Sequence, residues 1–160
     1  MDINGLPAHP LVIHAAVVFV PLAALLAVTY ACVPRWRWST RWPMIVVSAI
    51  GLLSVIAAWW SGRELKDERI AAGAAAARFH EHQERADILI WVAVVFFVFV
   101  LIAAWALGGP SALSSGRGAR GHHAAVIEWP TLVMLVILSV LLFTMAISTG
   151  EAGARLVYGG

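Results

Sequence analysis

Four runs of residues, 10–33, 43–61, 88–107 and 129–149, contain no Asp, Glu, Lys or Arg. Each is close to the ~20 residues that a helix needs to cross the hydrocarbon of a bilayer. A chain of 160 residues has no water-soluble core able to absorb four such segments, and its 61% hydrophobic residues, 12% charged residues and mean hydropathy of +0.85 agree with an integral membrane protein. In lipid the backbone must satisfy its own hydrogen bonds, so apolar runs of this length form helices. The expected fold is all-α, an integral membrane four-helix bundle forming one domain over residues 1–160. No basic segment precedes the first run and no small-residue cleavage site follows it, so it is expected to stay as a span rather than be removed as a signal.

Several function classes fall away on composition. The single Cys32 excludes a disulfide framework and a cysteine-based metal site, and it reads as a small buried hydrophobe. A formal charge of +2, scattered over loops on both sides of the membrane, does not suggest nucleic acid. The connection at residues 33–42 alternates Arg35, Arg37 and Arg41 with Trp36, Trp38 and Trp42, the pairing expected where a helix end meets lipid headgroups. Nucleophile-elbow and zinc-protease motifs are both missing, which argues against a hydrolase.

Connectivity alone sorts the polar residues. With four spans, His9, His14, the segment holding His80 and His82, and the tail holding Glu151 and Arg155 share one side, while His122 and His123 lie on the other. The first loop, with three arginines and no acid, reads as cytoplasmic, which puts both termini outside the cytoplasm. The segment 62–87, rich in Ala and in charges of both signs, reads as helix extending out of the bilayer and broken at Gly73. Arg63 with Asp67 and Glu81 with Arg85 are expected as pairs four apart. Gly51, Ser54, Ala58 and Ser61 form a ridge of small residues on the second span that admits either another helix or the flat face of a cofactor.

Histidine at the edge of a hydrocarbon segment is costly and calls for a reason. Pro10 suits the first helical position, with His9 at the cap and His14 one turn inside. The leading expectation is haem b held between the first and third spans, because bis-histidine ligation in a bundle needs one imidazole from each of two facing helices at similar depth. His14 and His82 are the expected iron ligands, with His80 and His9 as less favoured substitutes, and Arg63, Arg78, Arg85 or Arg155 are available to the propionates. The protein would then be an electron carrier rather than an enzyme. Two alternatives stand beside it. One is a divalent-metal or proton-handling site built from His9, His14, His80 and His82 with Glu81, Glu84 or Glu151. The other is an accessory or structural membrane subunit with no cofactor.

The opening His9-Pro10-Leu11-Val12-Ile13-His14, the stretch Glu81-His82-Gln83-Glu84-Arg85-Ala86-Asp87 and the ending Gly153-Ala154-Arg155-Leu156-Val157-Tyr158 resemble bacterial four-helix membrane proteins catalogued as a domain of unknown function, number twenty-two thirty-one. The likeness covers nearly the whole chain. It implies motif positions for His9, His14, His82 and the Leu156-Val157-Tyr158 tail, and a place in the bacterial cytoplasmic membrane. Family relatives are joined to Rieske or cytochrome domains, which implies redox company. The expected partners are therefore the lipid bilayer, and a redox protein or a second copy of the chain. The sequence departs from the family where Ala15-Ala16 replaces an aromatic residue and proline after the second histidine, and where the tail lacks a following histidine.

Overall fold

The computed structural model describes residues 2–3, 6–73, 76–107 and 125–158. An antiparallel pair of two-residue strands, β1 (Asp2–Ile3) and β2 (Leu6–Pro7), precedes four long helices. These are α1 (Ala8–Cys32), α2 (Arg37–Ala71), α3 (His80–Leu107) and α4 (Ala125–Tyr158). All four are long and apolar enough to cross a membrane, so the chain is an all-α four-helix bundle of the multi-pass membrane kind.

The helices outrun the charge-free segments that announced them. At 35 residues, α2 is ~50 Å long at 1.5 Å per residue, against ~30 Å of hydrocarbon. Its last turns, with Glu64, Lys66, Asp67, Glu68 and Arg69, therefore stand in water. The break expected at Gly73 is present, with φ +96°, a left-handed conformation that glycine adopts without steric cost. The Ala72 and Gly73 amides close the helix end on the carbonyls of Glu68 and Ile70. A 3-10 turn at Ala76–Phe79 leads into α3. One expectation needs correction here: α1 begins at Ala8, so His9 lies inside its first turn rather than at the cap. α4 runs on through Gly150 and Gly153 to Tyr158.

Each helix packs on two neighbours, in the ring order α1, α2, α3, α4 and back to α1. α1 and α3 therefore sit across a diagonal, as do α2 and α4. Small side chains let the backbones approach: Ala23, Ala27, Ala93, Ala103 and Ala104 are buried, and a Cβ on Gly51 would stand 3.4 Å from the Phe19 carbonyl oxygen. The small ridge of α2 is thus occupied by α1 at Gly51. Tyr30, Phe96, Met44, Val100, Leu135 and Leu142 fill the remaining interior. Outward positions such as Val17, Leu25, Leu53 and Val140 are equally apolar and exposed, as lipid-facing surface requires. The buried hydroxyls of Ser54, Thr131, Ser139 and Thr149 donate to the carbonyl four residues earlier and so are satisfied within their own helices, whereas the buried Ser48 hydroxyl has no partner among the described residues. Cys32, expected to be buried, is exposed at the end of α1.

Candidate functional site

The polar end of the bundle gathers the start of α3, the last turns of α4 and the outer part of α2. His82, half-buried on the first turn of α3, approaches the Thr149 carbonyl with Nδ1 at 3.2 Å. A carbonyl only accepts, so Nδ1 carries the proton and the neutral ring keeps its lone pair on Nε2. Beneath the ring lies Gly153: a Cβ there would come within 3.1 Å of His82 Cε1. Glycine is what lets the imidazole settle on α4. One turn along α3, Arg85 donates through Nη1 to the Ser148 carbonyl at 3.0 Å and through Nη2 to Glu81 at 2.6 Å. His82 and Arg85 therefore grip consecutive carbonyls of α4.

A second cluster joins α2 to α3. Trp59 Nε1 donates to Asp87, Arg63 lies 3.6 Å from the same carboxylate, and its guanidinium stacks 4.1 Å from the Trp59 ring centroid. The expected Arg63–Asp67 pair gives way to this one, because Asp87 lies on a facing helix and the aromatic ring holds the guanidinium toward it. Lys66 donates to Gln83 in the next layer out. The expected Glu81–Arg85 pair is present.

The remaining expected site residues are spread apart. Exposed His80 stands 3.9 Å from Glu84, and exposed Arg155 pairs with Glu151 on its own helix at 2.7 Å. His14 is exposed on α1. The side chains of His9 and Arg78, the Leu156-Val157-Tyr158 side chains, and His122 and His123 lie outside the described residues. Among the described residues no three of His, Cys, Asp and Glu converge as a metal site.

Across the bundle diagonal, the Tyr30 hydroxyl of α1 donates to the Ala103 carbonyl of α3 at 3.3 Å, and Val20 and Ala93 line one interior crevice. The crevice between Val20, Ser48, Gly51, Phe96 and Leu142 has a volume of about 10 Å³, room for one water. Of the four arginines expected at the propionates, Arg85 is engaged with Glu81 and Ser148, Arg155 with Glu151 and Arg63 with Asp87, and the Arg78 side chain lies outside the described residues.

At the opposite end the structure reveals a residue whose role the sequence reading missed. Arg37, expected as a headgroup anchor, is drawn inward: Nη1 donates to Glu128 on α4 at 2.9 Å, Nε to the Tyr30 carbonyl at 3.1 Å and Nη2 to the Ala31 carbonyl at 3.4 Å. The available signal was Glu128, the one acid flanking the charge-free runs on that side. Compared with protein-family models, curated proteins and solved structures, the chain matches none.

Proposed function

We propose that this protein is an accessory membrane subunit, a helical bundle that works through its shape and its membrane position rather than through a bound cofactor. The observation that carries this reading is His82, the histidine best placed for chemistry. Its ring N–H is donated to Thr149 and its ring edge lies on Gly153. It therefore serves as a packing element between α3 and α4, and Arg85 reinforces it on Ser148. The resemblance to the bacterial four-helix family supports a place in the cytoplasmic membrane beside redox proteins. The acid-free first loop supports a cytoplasmic position for the Arg37 end, with both termini outside. Cysteine introduced at Ala75 should react with an impermeant label in intact cells and cysteine at Ser115 should not; the reverse pattern refutes this orientation.

A b-type haem electron carrier is the second reading, and one observation favours it. Donation of Nδ1–H to a backbone carbonyl is how iron- and zinc-ligating histidines are commonly oriented, and it leaves Nε2 of His82 able to bind iron. That reading requires the His14 and His82 rings to reach one iron from opposite sides. The absorption spectrum of protein expressed with ample haem separates the two. The accessory reading expects no Soret band, and His82→Ala to lower stability by ~1 kcal/mol through one lost hydrogen bond. A low-spin haem spectrum lost in both His14→Ala and His82→Ala, and kept in His122→Ala, would replace it with the haem reading.

A further inference from the structure

The end of the bundle opposite His82 carries an unbalanced charge. Arg35, Arg37 and Arg41 meet a single carboxylate, Glu128, among the described residues there, and Glu128 is engaged by Arg37 at 2.9 Å. Arg41 lies one turn beyond Arg37 on the same face of α2, where like charges four apart repel. Its Nε is buried and has no hydrogen-bond partner among the described residues. The side chain as a whole is only half-buried, and the described residues supply no carboxylate to balance its charge.

Depth identifies the anion. Trp36, Trp38, Trp42 and Trp129 are all exposed at this end, and exposed tryptophans mark the headgroup layer of a bilayer. The Arg41 guanidinium lies 5.8 Å from the Trp42 ring centroid, so it occupies the same layer. The anion abundant at that depth is the phosphodiester of a phospholipid, and planar guanidinium donors suit phosphate oxygens. We propose that Arg41, with Arg35 adding to the field, binds the phosphate of an anionic glycerophospholipid in the leaflet that these tryptophans mark. Arg37 takes no direct part, because its donors are held by Glu128 and the end of α1. The bound lipid supplies the counter-charge that the described residues lack at this end.

Native mass spectrometry of delipidated protein, titrated with phosphatidylglycerol or with phosphatidylcholine of the same acyl chains, tests this. One phosphatidylglycerol should be retained in preference. Arg41→Gln should weaken that retention about fivefold, the share of one basic residue in anionic-lipid attraction, while Arg155→Gln at the far end should leave it unchanged. Arg41→Lys keeps the charge and guards against misfolding of the first variant; it should retain the headgroup preference at reduced affinity. Equal retention of the two lipids by the unaltered protein overturns the proposal, as does an undiminished preference in Arg41→Gln. Competition by millimolar inorganic phosphate as effective as by lipid would make this a site for free anions and would equally overturn it.

Discussion

The two ends of the bundle solve the same problem differently. Each must hold helices together where polar side chains emerge from the hydrocarbon. At the His82 end, charges are nearly balanced and mostly solvated: Arg155 and Glu151 are exposed, His80 and Glu84 likewise, and the inward contacts run to the Ser148 and Thr149 carbonyls of α4. At the Arg37 end, one ion pair spans α2 and α4, and its guanidinium side chain is only 15% exposed. The three donations of Arg37 tie the end of α1, the start of α2 and the start of α4 into one knot. The comparison teaches that exposure, not the number of charges, governs what the loss of one partner costs: in the shielded pair it leaves a poorly solvated charge behind, whereas water screens the same loss in an exposed pair.

The sharpest way to break this contrast is Arg37→Ala, which should produce the largest loss. It leaves Glu128 without its partner and uncovers the Tyr30 and Ala31 carbonyls. A destabilisation of about 2–4 kcal/mol is expected, below the full value for a buried pair because Glu128 is 40% exposed. Reversible unfolding in detergent measures it, and a loss under 1 kcal/mol would remove the distinction between the ends. Next comes Gly153→Leu, which must push His82 off α4. Overpacking there should cost about 1–3 kcal/mol, and combining it with His82→Ala should recover part of the loss, since the clash is with that ring. No recovery in the double variant would show that the close approach at Gly153 has another origin. The smallest effect belongs to Arg155→Ala, which should leave the unfolding midpoint unchanged within error. A measurable drop would mean that the solvated pairs of this end carry more than their exposure implies.

Much of the candidate site was legible residue by residue, but not as a constellation. His82 and Arg85 stand out in the sequence because they introduce the third charge-free run, and both do engage a neighbouring helix. Their partners were hidden because they are backbone carbonyls of Ser148 and Thr149, which no side-chain pattern announces. For Gly153 the sequence carries no sign of what approaches it, since His82 is 71 residues away in the chain. Asp87 was visible as a charge at a helix entry, yet its choice of Arg63 over the solvent depends on Trp59 standing beside it.

What the sequence determined by itself is the number of helices, their approximate extents and which polar residues share an end. Charge-free runs of that length leave the backbone no partner but itself, and an even number of spans forces the grouping. The break at Gly73 belongs to the same class, because a local conformation open to glycine needs no tertiary partner. The tertiary structure alone decided the ring order, the reach of Tyr30 across the diagonal to Ala103, and the seating of His82 and Arg85 on the carbonyls of α4. The physical reason is that lipid tails are as apolar as a bundle interior, so the inward and outward faces of these helices carry little contrast in composition. Which face turns inward is settled by the fit of small residues such as Gly51 and Ala93 against larger ones, and that fit exists only once the helices are packed.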